Sequence, residues 1–164
     1  MSDYLRWGGS AILMLCALFI SRCYKSYVNK RIAQTEGFVA FFSHTREKIS
    51  MYLASPTKLV EGFRNESLES VGFLAALKEC GKPGAAFSEC SPRLSIGGEL
   101  SRLLTEYFSG FGQGYKAEEL ARLDRFSKEA EKILEGEKRD LPQNARMVST
   151  LLLAGAAGIV ILLI

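Results

Sequence analysis

The stretch Met147-Val148-Ser149-Thr150-Leu151-Leu152-Leu153-Ala154-Gly155-Ala156-Ala157-Gly158-Ile159-Val160-Ile161-Leu162-Leu163-Ile164 decides the fold. It runs for 18 residues without a charge. At about 1.5 Å rise per residue, a helix of that length reaches roughly 27 Å, close to the hydrocarbon thickness of a bilayer. Apolar residues cover every face rather than one stripe, which favours a membrane span over the alternative of a helix buried in a soluble core. Ala154, Gly155 and Gly158 place small side chains three to four residues apart, a spacing that lets another helix approach closely.

A second uncharged run lies at the other end, Trp7 to Ser21, bounded by Arg6 and Arg22. It spans if Arg6 snorkels and if Tyr4 and Trp7 sit among the headgroups. The competing reading is a cleaved signal peptide, with Arg6 in its basic region and Ala11 to Ile20 as its apolar region. However, Ser21, Arg22, Cys23 and Tyr24 follow with no small-x-small cleavage site, so an uncleaved anchor is expected. Nearly all charge lies between the two runs. The expected division is a membrane anchor over 1–23, a soluble region over 24–146 and a second span over 147–164.

Flanking charge sets the expected orientation. Arg22, Lys25, Lys30 and Arg31 follow the first run, whereas Arg6, offset by Asp3, precedes it; Lys138, Arg139 and Arg146 precede the second run. Positive flanks stay inside, so the middle is expected in the cytoplasm with both termini outside. A chain of 164 residues argues against a multidomain enzyme. Its net charge of +3, from 21 basic and 18 acidic side chains, is too small and dispersed for a nucleic-acid footprint. Cys16, Cys23, Cys80 and Cys90 show no C-x-x-C spacing and demand no disulfide framework.

The middle reads as helical throughout. Tyr24, Val28, Ile32, Thr35, Val39, Phe42, Arg46, Ile49 and Leu53 recur every three or four residues, which predicts a long amphipathic helix continuing the first span, with Lys30, Arg31, Glu36 and Glu47 solvated. Gly37 weakens it by about 1 kcal/mol relative to Ala. Ser55-Pro56 stops it and starts the next helix. Shorter helices are expected over Thr57 to Asn65 and Leu68 to Glu79, then a loop at Gly81-Lys82-Pro83-Gly84. Leu100, Leu103, Leu104, Tyr107, Phe108 and Phe111 form the best apolar stripe, on a helix from Gly98 to Ser109 that ends in a glycine turn over 110–114. A helix from Ala117 to about Leu141 carries Leu120, Leu123, Ala130, Ile133 and Leu134 on one side. It has the favourable pairs Glu118 to Arg122 and Asp124 to Lys128. Pro142 interrupts it as a kink or a first-turn residue. The expected fold class is all-α, a cytoplasmic antiparallel helical bundle flanked by two transmembrane helices.

Chemistry-bearing patterns are sparse. Gly110-Phe111-Gly112-Gln113-Gly114 lacks a leading strand and a following Gly-Lys-Ser/Thr, so a helix–helix turn is expected rather than a phosphate loop. His44 is the single histidine and has no partners at metal-ligand spacing. Glu118-Glu119 and Glu129 with Glu131 read as the solvated side of a charged helix. No catalytic residue, cofactor or metal is expected. A Cys80–His44 nucleophile and base would make the chain a membrane-bound hydrolase, and a tail-anchored regulatory interaction protein is a further alternative.

Three local patterns on this architecture resemble stage III sporulation protein AB of endospore-forming bacteria. In the tail, Arg146, Ser149 and Leu151 lead into Gly155, Gly158 and the run Ile159 to Ile164. Ile49, Tyr52, Ser55-Pro56 and Leu59 are similar to the family's Ile, Tyr and Thr-Pro-Leu step. Tyr107-Phe108-Ser109-Gly110-Phe111-Gly112 resembles its Phe-Gly-x-x-Leu-Gly turn, although Phe108 stands where the first Gly would be and Tyr115 where the family usually has Asp. The family's soluble region is similar to the platform protein of type II secretion and type IV pilus systems. The resemblance implies a non-enzymatic platform in the sporulation channel, in the mother-cell membrane, docking a secretion-type ATPase and packing against other membrane subunits or further copies of itself. Candidate docking residues are Gln113, Tyr115, Lys116, Arg122 and Arg125, and Ala154, Gly155 and Gly158 are the candidates for membrane packing.

Overall fold

The computed structural model describes the backbone of residues 2–51, 62–111 and 115–163, and the side chains of 7–50, 62–111 and 115–162. Every element among them is helical: α1 Ser2–Met51, α2 Glu66–Glu69, α3 Phe73–Cys80, α4 Pro83–Cys90, a 3-10 turn at Ser91–Arg93, α5 Gly98–Ser109 and α6 Lys116–Leu163. The chain is all-α, and α1 and α6 are each long and apolar enough to cross a membrane. Their most apolar windows are only 17% and 11% buried, whereas the core helix of a soluble protein would bury such a window.

The residues fall into two compact units, 1–29 with 138–164, and 30–137. In the first, α1 buries Ser10, Ala17, Ser21 and Val28. Steps of seven and four residues keep these on one face of the helix. On α6, Ala145 and Ala156 are buried, and Ser149 meets Ser21 across the seam, their hydroxyls 2.5 Å apart. Small side chains at the seam let two backbones approach closely.

The second unit has an aromatic core. Phe38, Phe41 and Phe42 of α1 pack with Phe73 of α3, Phe87 of α4, Tyr107 and Phe108 of α5 and Phe126 of α6. Edge-to-face contacts recur, such as Phe38 on Phe73 at 5.3 Å and Phe42 on Tyr107 at 4.9 Å between centroids. Each such contact adds about 0.5–1.5 kcal/mol beyond area burial. Within this unit α1 and α6 run antiparallel: Arg31 pairs with Glu137, Arg46 with Asp124, and Ser50 with Lys116.

Several expectations need correction. The stripe on α1 is rotated from the expected one: Gln34, Phe38, Phe41 and Thr45 are buried, whereas Arg46 is exposed and pairs with Asp124 at 2.7 Å. The single helix expected over Leu68 to Glu79 is two, because Gly72 takes φ 79° and restarts the chain as α3. The loop expected over Gly81 to Gly84 shrinks to Gly81 and Lys82. Pro83 occupies the first position of α4, which needs no backbone N–H there. Phe63, Arg64 and Asn65 are not helical; Asn65 instead caps α2, its side chain accepting from the Leu68 N–H. Pro142 lies inside a continuous α6. Leu53, the Tyr52 to Leu59 step with its Ser55-Pro56 stop, and most of the Thr57 to Asn65 helix lie outside the described residues.

Gly37 has a positive reason to be glycine. A Cβ there would meet Asn65 Oδ1 at 2.8 Å and Leu68 Cγ at 3.0 Å. Asn65 Oδ1 is held by its capping bond and Leu68 is fully buried, so neither yields freely. Gly37→Ala gains about 1 kcal/mol of helix propensity against about 1–3 kcal/mol of overpacking. We expect a net loss of stability, read as a lowered thermal midpoint in detergent; a raised midpoint would show that α2 moves aside at little cost.

Candidate functional site

The turn between α5 and α6 is organised by Arg122. Its guanidinium donates to the carbonyls of Tyr107 and Gly110, and to that of Glu106 at 3.3 Å. These lie at the C-terminal end of α5, where carbonyls lack intrahelical partners and the helix dipole favours a cation. The group also lies 5.6 Å from the Tyr107 ring centroid and 5.7 Å from that of Phe126. Arg122 was expected to pair with Glu118; its carboxylate neighbour is Glu119 at 3.8 Å. Glu119, expected on a solvated face, is buried. Glu118 is exposed and accepts from the Tyr115 N–H at 3.2 Å, tying the start of α6. Asp124, expected with Lys128, is taken by Arg46.

The remaining docking candidates surround that turn. Tyr115 is 83% exposed. Among the described residues of 30–137 it is the one large hydrophobic side chain left exposed. Lys116 donates to the Ser50 carbonyl at 2.7 Å. Arg125 pairs with Glu106 at 3.2 Å and lies over Phe126 at 4.7 Å. Gln113 lies outside the described residues. Tyr115, Lys116 and Arg125 are thus on the surface, while Arg122 is partly buried in the fold itself.

The topology residues divide in a similar way. Arg22, Lys25, Lys30 and Arg146 are exposed. Arg31, expected to be solvated, is bound to buried Glu137, with Nη2 at 2.6 Å and Nε at 2.8 Å from Oε1. Thr35 donates to the other carboxylate oxygen at 2.7 Å. Beside them, the side-chain oxygen of buried Gln34 accepts from the Ser95 N–H, and a Cβ on Gly97 would meet Glu137 at 2.9 Å. Glu137 carried no sequence signal, since its partner is 106 residues away. Near the second flank, Arg139 holds the Asp140 carboxyl below its ordinary range, chiefly through their hydrogen bond. Ala154, Gly155 and Gly158 are exposed on α6, and a Cβ on either glycine would meet nothing within 4 Å; the seam uses other small residues.

His44 packs against Phe63 at 5.3 Å between centroids, and Cys80 is exposed at the end of α3. Buried Cys90 has its thiol pKa raised by desolvation. The chain matches no protein-family profile, no curated protein and no solved structure.

Tyr107 is fully buried, and among the described residues its hydroxyl has no hydrogen-bond partner. Burial holds the phenol well above the ordinary tyrosine range; the Glu119 carboxylate adds to this and Arg122 opposes it. An acid whose folded pKa is raised is stabilised below its unfolded pKa, about 10, and loses that stability as pH rises above it. Tyr107→Phe is therefore expected to match or exceed wild-type stability at neutral pH. Its advantage in thermal midpoint should grow above about pH 10; a constant difference across that range would refute this role for the phenol.

Proposed function

We propose that this chain is a non-enzymatic membrane platform whose soluble unit docks a cytoplasmic partner through the surface around Tyr115. The observation that carries it is the exposure of that ring, the one large apolar side chain left exposed among the described residues of its unit. Tyrosines flanked by basic side chains are common centres of binding energy, because a rigid ring gives contact area at low entropy cost. Lys116 adjoins it in sequence, and Arg125 lies about 15 Å further along α6. By the resemblance to stage III sporulation protein AB, the partner would be a secretion-type ATPase and the setting a channel complex in the mother-cell membrane. Ala154, Gly155 and Gly158, open on α6, would then accept a helix of another membrane subunit or of a second copy. The positive flanks support a cytoplasmic soluble unit with both termini outside.

Crosslinked capture from the source cells tests the docking face. Tyr115→Ala should weaken recovery of a secretion-type ATPase about 30-fold or more, with helical content unchanged, whereas Glu131→Ala on the exposed side of α6 should not. Equal recovery with Tyr115→Ala would discard this face. Sidedness is tested at exposed Cys80. An impermeant maleimide should leave it unmodified in intact cells and modify it after permeabilisation; modification in intact cells would place the unit outside.

A further inference from the structure

Arg22, Lys25 and Arg146 belong to different helices, yet the Ser21–Ser149 contact fixes their relative positions. Along α1 from Ser21 to Arg31 the paired residue on α6 steps back from Ser149 to Glu137, so the two helices run in opposite directions. Measured towards that same end from the serine pair, Arg22 lies about 1.5 Å along, Arg146 about 4.5 Å and Lys25 about 6 Å. All three are exposed and share one level.

They also share one side. At about 100° per residue, Arg22 is turned about 100° and Lys25 about 40° from Ser21 around α1, and Arg146 about 60° from Ser149 around α6. Both helices are right-handed and antiparallel, so these rotations carry all three side chains to the same side of the plane through the two axes. Tyr24 and Tyr27 are carried to the opposite side by the same arithmetic. Between 20 and 29, and between 143 and 150, the sequence has no acidic residue. The nearest carboxylate on α6, Asp140, is bound to Arg139. The level is that of the ends of the two apolar runs, Ser21 on one and Met147 on the other.

We propose that Arg22, Lys25 and Arg146 form a binding face for the phosphate of an anionic phospholipid. Three cations at one level, with no competing carboxylate among them, complement a phosphodiester better than a zwitterionic headgroup, whose ammonium they repel. Behind them Tyr24 holds the same level without charge, and Tyr27 lies about 3 Å beyond it. The inference rests on reading α1 and α6 as membrane spans.

The test is native mass spectrometry of the full-length protein released from vesicles mixing phosphatidylcholine with phosphatidylglycerol. Wild type should retain phosphatidylglycerol preferentially. Arg22→Gln, Lys25→Gln and Arg146→Gln should each weaken retention about fivefold, and the triple variant should abolish the preference, while Lys132→Gln on the other unit should retain it. Undiminished preference in all three single variants, or equal retention of both lipids by wild type, overturns the proposal. Displacement of the lipid by soluble glycerol phosphate also overturns it, in favour of a free-phosphate site. Flotation with phosphatidylcholine vesicles separates the two readings: a wild-type chain that floats without lipid preference refutes only this inference, and one that does not float refutes the membrane reading as well. Because the single variants alter one flank charge each, they decide the matter even where the triple variant inserts poorly.

Discussion

The ring of Tyr107 is where the second unit is tied together. It meets Phe42 of α1 at 4.9 Å, Phe126 of α6 at 5.4 Å and its neighbour Phe108 at 5.2 Å, so one side chain of a short helix joins both long ones. Around it the shorter helices α3 and α4 add Phe73 and Phe87, and the glycines at 72 and 81 supply the left-handed corners that let those helices fold back. Arg122 closes the lower edge of this cluster by meeting the carbonyls that α5 cannot satisfy itself. Outside this cluster, Tyr115 is the one large apolar side chain left exposed among the described residues of the unit.

Much of this was legible from composition and period. The two apolar runs, the α5 stripe with Tyr107 and Phe108, and the continuation of the first span into a long helix all rest on side-chain repetition along one helix, which is local information. Val28, Thr35, Phe42 and Ile49 are buried as their spacing predicts. The face was nonetheless misjudged by part of a turn, because Phe38, Phe41 and Phe42 are too closely spaced to reveal which side of α1 is the centre. Only the partners on α3 and α5 decide that.

What could not be read depended on contacts distant in the chain. Glu137 and Glu119 look like ordinary members of a charged helix, and their burial depends on Arg31 and Thr35 in one case and on the Tyr107–Arg122 cluster in the other. Local pairing rules assigned Arg122 to Glu118 and Asp124 to Lys128; the carbonyls at the end of α5 and the side chain of Arg46 compete more effectively because they are fixed by the fold. Among candidate docking residues, the sequence marks Tyr115 only as an exposed residue near a turn, and its isolation among the described residues of its unit emerges only from the fold.

The Ser21–Ser149 contact also carries a consequence for biosynthesis. Its two members are 128 residues apart in the chain. At about 5–20 residues per second, on the order of ten seconds of translation separates their emergence. During that interval Ser21 has no Ser149 to meet, and the whole aromatic unit is synthesised before the second apolar run. The helix pair is therefore a late event in the life of the chain, completed only after every residue of the second unit has been made.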